Sequence, residues 1–361
     1  MTGTPVRDVL VLRALGLGDT LTGVAALRGA RRAWPGARLW LAGPRGAGEW
    51  LRSLGVVDEV TPTAGLRAPI TWTGSDHVAL DLHGRGPRSH RLLAATRPAE
   101  MVAFACPGFS WRAFDGRAFE GPPWMPEEHE VERWCRLVRS AGGVCGAEDL
   151  RLDLGADRGA EDLGLDVGAD RDRPGEVLLH PGAASASRRW PPERWAQVAA
   201  ALRAQGRAVT LTGGPAERGL CEHIAAHAPG AQVTAGALDV PRLARRVAGA
   251  ALLVCGDTGV AHVATAVGTP SVLLFGPTPP AQWGPSIDPH EHVVLWHGVP
   301  GHAGDPHGAA LDAALARISA GEVLDAVAAL LDRAESRASV RLLSGGTART
   351  TARSVPALAP R

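Results

Sequence analysis

Four short segments of this chain carry residues suited to holding a phosphorylated ligand and deprotonating a hydroxyl. The first is Gly256-Asp257-Thr258-Gly259-Val260-Ala261-His262, between an apolar run and the start of a helical one. A helix beginning there turns unpaired backbone N–H groups and the positive end of its dipole outward, and Gly259 lets an anion approach the backbone. Thr258 and His262 add side-chain donors, a set that suits a diphosphate; read alone, the turn is equally an ordinary helix entry with Asp257 or Thr258 as N-cap. The second segment, His180-Pro181-Gly182-Ala183, leads through small residues to Arg188-Arg189-Trp190. Guanidinium forks match phosphate oxygens, although an Arg pair before a helix is also a common solvated entry.

The third segment is Gly213-Gly214-Pro215-Ala216-Glu217, where Glu217 is either a ribose-binding carboxylate or a first-turn acid favoured by the helix dipole. The fourth, Gly16-Leu17-Gly18-Asp19-Thr20, imitates a dinucleotide fingerprint but has Leu21 where the third glycine belongs. In exchange it offers Asp19, which either caps a helix or accepts the proton of an incoming hydroxyl if an electrophile faces it. Gly18, Thr20, Asp81 and Arg88 are expected beside it, on the acceptor side. His290, His292, His297, His302 and His307 fall in a Pro/Gly-rich loop without the i, i+4 spacing of a helical zinc site, so no metal site is expected.

The elements that must position these groups follow from the hydrophobic pattern. Apolar, β-rich runs at 8–14, 37–43, 56–62, 77–84 and 100–106 alternate with helix-compatible stretches, including one from Leu21 to before Pro35 and another near 128–141. After the acidic, Gly-rich stretch 156–175 the pattern restarts with strands at 176–182, 207–214, 231–234, 251–257 and 270–277 and helices between them, then a helix near 321–333. This predicts an α/β chain of two doubly wound halves, 1–155 and 176–335, joined by a linker at 156–175 and followed by a disordered tail, 336–361, rich in Ser, Thr, Arg, Ala and Pro.

Composition narrows the classes. The 361 residues exceed one ordinary domain, and 38 basic against 37 acidic side chains leave a formal charge of +1, too little to favour nucleic acid. Five scattered cysteines without a C-x-x-C fit a reducing cytoplasm. No leader or 18-residue apolar run stands out, which is compatible with peripheral work at a membrane surface.

Together, GLGDTLTGVAALRGARRAWPGARL, LLHPGAASASRRWPPERWAQVAAAL, LTGGPAERGL and CGDTGVAHVATAVGTPSVLLFGPTPPAQWGP resemble the heptosyltransferase family of bacterial glycosyltransferases, the ninth in the sugar-transferase classification, over residues 8–333. The resemblance implies a GT-B fold, two Rossmann-like domains across a cleft, with the C-terminal one holding a nucleoside-diphosphate sugar such as ADP-heptose and the N-terminal one a glycan or glycolipid acceptor. It places the catalytic aspartate on Asp19, the phosphate-binding turn on Asp257, Thr258, Gly259, Val260 and His262, the ribose-side acid on Glu217, and on Arg188 a cation that is usually Lys. Gly182 and Ala183 belong to the donor side. It further implies an inverting displacement without metal or cofactor. Two other classes set the alternatives. A nicotinamide-dependent oxidoreductase needs the missing third glycine, and a non-catalytic sugar-nucleotide-binding protein lacks a base where Asp19 stands.

Overall fold

The computed structural model describes residues 6–114, 116–155, 175–301 and 303–345. The first half contains β1 (Asp8–Leu12), α1 (Leu17–Thr22), α2 (Val24–Ala33), β2 (Arg38–Gly43), α3 (Arg45–Ser53), β3 (Glu59–Pro62), β4 (Val78–Asp81), α4 (Arg88–Ala94), β5 (Glu100–Val102) and α5 (Glu130–Ser140). The second contains β6 (Val177–His180), α6 (Pro192–Ala204), β7 (Val209–Leu211), α7 (Arg218–Ala226), β8 (Gln232–Val233), α8 (Val240–Gly249), β9 (Leu252–Gly256), α9 (Gly259–Val267), β10 (Ser271–Phe275), α10 (Pro280–Trp283), β11 (His292–Trp296), α11 (Ala313–Arg317) and α12 (Ala320–Gly345).

The named strands pair in parallel, as two sheets ordered β3-β2-β1-β4-β5 and β11-β10-β9-β6-β7-β8. Helices cover both faces of such sheets, so central strands read as unbroken apolar runs: all five residues of β1, β9 and β10 are buried. In each sheet the strand order reverses beside the first strand of that half, between β1 and β4 and between β6 and β9. Such reversals open a crevice beyond the carboxyl ends of the strands, which is where the turns holding Asp19, Arg188 and Asp257 emerge. The α/β fold read from the sequence is therefore present in both halves.

The halves are in contact. The Leu152 N–H donates to the Ala266 carbonyl (2.7 Å), Arg151 pairs with Asp288 (2.6 Å), His129 bonds the Gly284 carbonyl (3.0 Å), and Gln282 reaches Glu127 (2.9 Å). Apolar packing runs on from the first sheet through Leu21 and Val24 to Val260, Ala261 and Val263 of α9.

Three expectations change. The stretch 290–307, read as loop, contains β11, which extends the sheet beside β10 in register Ser271↔His292 to Phe275↔Trp296. The run His292-Val293-Val294-Leu295-Trp296 is a good strand, masked by the Pro and Gly around it. The helix expected from Leu21 to before Pro35 is interrupted at Gly23, where an added Cβ would lie 2.7 Å from Arg13 Cδ. The tail expected to be disordered from 336 instead continues α12 to Gly345, because Ala, Arg and Leu sustain a helix until the Gly345-Gly346 pair. Residues 346–361 and the linker residues 156–174 lie outside the described residues.

Candidate active site

A cavity of about 630 Å³ opens between the two halves. Gly18 and Asp19 line it from the first half, and Arg188, Asp257, Thr258, Gly259 and His262 line it from the second. Two further segments complete the wall: Pro277–Trp283, through Thr278, Gln282 and Trp283, and the loop after β11, through Ala303, Gly304, Pro306 and His307.

Asp19 sits in the first turn of α1, half-buried. Burial raises its pKa above the ordinary 3.8, with Glu130 adding to the rise and Arg13 and Arg188 opposing it. Across the cavity, Thr258 occupies the N-cap position of α9 but makes no capping bond with its side chain, and its buried hydroxyl has no partner. A buried hydroxyl left unpaired is costly, so this one fits a ligand atom. The first N–H groups of α9 point the same way as its dipole, as an anion site requires.

Arg188 ends a short 3-10 turn after β6. Its Nη1 donates to the Asp257 carbonyl (3.1 Å) and lies 3.9 Å from Asp257 Oδ2, while its Nε is buried without a partner. The backbone turn after β9 thus anchors the guanidinium and leaves part of it uncommitted. Asp257 is buried, which raises its pKa; Arg188 and a hydrogen bond from Thr278 oppose that rise. Burial pushes His262 down to about 4, so near neutral pH its ring is uncharged and able to donate one N–H. The ring meets Trp283 edge-on at 6.0 Å.

Other expected site residues lie outside this lining. Val260 is a core side chain, 2% exposed. Gly182 and Ala183 are buried, and Ala183 accepts at its carbonyl from Arg189 Nε (2.8 Å), which makes Arg189 a brace of this loop. Glu217 folds back, accepting from the Gly214 N–H (2.6 Å), and its carboxylate fills the space a Cβ at Gly182 would need. Of the residues expected on the acceptor side, only Gly18 lines the cavity. The Thr20 hydroxyl is buried and donates to the Gly16 carbonyl (2.9 Å); Asp81 is fully buried against His90 (3.4 Å); Arg88 is exposed at the start of α4. A strand end places a side chain on one face or the other, and Asp81 falls on the face covered by α4.

The expected histidine-rich stretch is dispersed: His292 bonds Ser271 (2.8 Å), His297 bonds Glu322 (2.7 Å), and His307 lines the cavity. His302 lies outside the described residues. Three contributors were missed in the sequence: Trp283, the loop 303–307, and Arg13, fully buried behind Asp19. Arg13 had a signal, a charge directly after the apolar run Val9–Leu12.

A family model described as glycosyltransferase family 9 (heptosyltransferase) matches residues 113–300, just over half of the chain. Among curated proteins, lipopolysaccharide heptosyltransferase 1 of Pseudomonas aeruginosa is 33% identical over 154 residues, 42% of this chain and 41% of that protein. Lipopolysaccharide heptosyltransferase 3 of Escherichia coli is 34% identical over 126 residues, 34% of this chain and 36% of that protein. These matches therefore span about two fifths of the relatives' length. Similar solved structures are a family 9 glycosyl transferase of Veillonella parvula (TM-score 0.70, 17% identity, 91% of this chain and 98% of that one) and E. coli ADP-heptose lipopolysaccharide heptosyltransferase II (0.67, 20%, 91% and 99%).

Proposed function

The chain belongs to glycosyltransferase family 9, and from that premise we propose that it is an inverting, metal-independent glycosyltransferase, moving a heptose or related sugar from a nucleoside-diphosphate donor to a glycan or glycolipid hydroxyl. One observation carries the reading: Asp19 from one half faces Arg188, Thr258 and the start of α9 from the other in a single cavity. The names of the relatives, lipopolysaccharide heptosyltransferases, support an ADP-heptose-like donor and a lipid-linked acceptor.

In the proposed reaction the acceptor oxygen attacks the anomeric carbon from the Asp19 side and gives its proton to that carboxylate. The bond from the anomeric carbon to the diphosphate oxygen breaks on the opposite side. Arg188, the neutral His262 N–H, the Thr258 hydroxyl and the α9 terminus receive the developing charge. Donors fixed in advance stabilise that charge without reorganising, which is the role a divalent ion plays elsewhere. Glu217, near the strand ends of the second half, is assigned to the ribose side. No helix among the described residues is long and apolar enough to cross a membrane; we assign the protein to the cytoplasm, meeting a lipid-linked acceptor at the membrane surface.

A thermal-shift screen against ADP-, GDP-, UDP- and dTDP-sugars identifies the donor, because a ligand that binds only the folded state raises Tm. Product NMR then shows the anomeric configuration. Asp19→Asn keeps the donor-induced Tm shift and lowers turnover by about 10²–10⁴-fold, the usual range for a general base. Wild-type turnover in that variant, with chemistry rate-limiting, removes Asp19 from the mechanism. A nicotinamide-induced shift with no response to any nucleotide sugar would restore the oxidoreductase reading.

A further inference from the structure

Behind the Asp19 turn lies an ionic group that the reaction scheme leaves unused. Arg13, one residue past β1, is fully buried. Its Nε donates to the backbone carbonyl of Asp19 and its Nη1 to that of Leu82, just past β4. Its Nη2 bonds the Thr22 hydroxyl (2.8 Å) and Glu130 Oε1 at the start of α5 (3.2 Å). The guanidinium plane lies over the Trp134 ring, 4.9 Å from its centroid. Glu130 is held in turn by Arg133 and by the Trp134 indole N–H (2.7 Å). Gly23 is side-chain-free where Arg13 passes, and the α1–α2 break occurs at that point.

A buried Arg satisfied on all sides could be structural ballast, but the choice of partners argues otherwise. It grips the carbonyl of the residue that bears the carboxylate, in a helix of only six residues, and ties it to the end of β4 and to α5. A short helix has little internal rigidity, so its direction is set by what holds it from behind. Planar, multiply bonded Arg fixes direction where Lys would not. We propose that Arg13, seated on Glu130, is a positioning residue that aims Asp19 into the cavity and sets its electrostatic environment. The inference rests on the reading of Asp19 as the base.

The test separates aim from stability through the pH profile. Charged and titratable groups facing Asp19 are Arg13 behind it, Glu130 on α5, Arg188 and Asp257 across the cavity, with His262 on α9 uncharged near neutrality. Arg13 favours the Asp19 carboxylate and Glu130 opposes it. Glu130→Gln keeps an acceptor for Arg13 and Trp134 while losing the charge, so the acid limb of kcat/KM moves to lower pH. The double variant Arg13→Met, Glu130→Gln removes both partners without leaving a buried carboxylate unpaired; here the limb moves to higher pH than in Glu130→Gln. Its kcat falls by about tenfold or more, with the donor-induced Tm shift retained, as for loss of orientation rather than of binding.

Folded variants whose acid limbs coincide with the wild type and whose kcat is unchanged overturn the proposal. Should the double variant not fold, the downward shift in Glu130→Gln alone decides it. Asp19→Asn distinguishes the two readings. If that variant is inactive and the limbs do not move, only the role of Arg13 fails; if it is fully active, the base assignment fails and takes this inference with it.

Discussion

Among individual residues, the two arginines before Trp190 show how equal sequence signals part in three dimensions. Arg188 faces the cavity with Nε unbonded, whereas Arg189 is exposed and bonds the Ala183 carbonyl. Arg188→Ala is expected to weaken nucleotide-sugar binding or turnover by the equivalent of about 1.5–3 kcal/mol, a lost charge-assisted bond. Arg189→Ala costs less, and calorimetry with steady-state kinetics gives the order; the larger effect at Arg189 would reverse the assignment. Asp81 carries a different prediction. Burial pushes its pKa up to about 7 from the ordinary 3.8, against hydrogen bonds from Ser89, His83 and Gly84 and the charge of Arg13. The native state therefore holds a proton that the unfolded chain releases between those values, so this group's contribution to stability falls as pH rises from about 4 to 7. Asp81→Asn, neutral at every pH, should gain on the wild type in Tm between pH 5 and pH 8. A Tm difference that stays constant over that range would show the carboxyl to be ionised throughout.

At the scale of elements, the turn from β9 into α9 ends a strand and, in the proposed scheme, receives the diphosphate. The Thr258 hydroxyl is buried and makes no bond within the protein, so Thr258→Val should not lower stability and, by removing an unpaired buried hydroxyl, should raise it. The same change should weaken nucleoside-diphosphate binding by about tenfold, read by titration calorimetry, the worth of one hydrogen bond. Full affinity in Thr258→Val would leave the anion to Arg188, His262 and the α9 backbone without the Thr258 hydroxyl. Such turns were legible because chemistry and punctuation coincide there: Gly256 to His262 and Gly16 to Thr20 each follow an apolar run and open a helix. β11 was not, because five strand-forming residues were flanked by the Pro and Gly of loops and sprinkled with imidazoles. Nor was the burial of Asp81, since sequence places it at a strand end without saying which face α4 covers. Arg13 could be seen as an oddity in an apolar run, yet two of its partners, Leu82 and Glu130, lie 69 and 117 positions away, and no local pattern reports contacts so remote.

For the whole molecule, the proposed scheme needs both halves at once: a proton acceptor from one and a leaving-group cradle from the other. The positive groups around the cradle are Arg188 and the α9 terminus, worth about half a charge, with donors from Thr258 and His262. Activity is accordingly expected to survive EDTA; loss on chelation with recovery on stoichiometric Mg²⁺ or Mn²⁺ would demand a different cradle. The distance between acceptor and cradle is itself set by two residues. A methyl at Gly18 would lie 2.8 Å from His262 Cδ2 and 3.2 Å from Gly259 Cα, and one at Gly259 would lie 3.0 Å from Leu17 Cβ. Here backbone rests on backbone, and the gap is calibrated by what the chain omits. Each carbon added at either position would act as a shim, widening the spacing across which, in the proposed scheme, a proton and a sugar move. A graded series of small side chains there would turn the protein into a ruler of its own reaction coordinate.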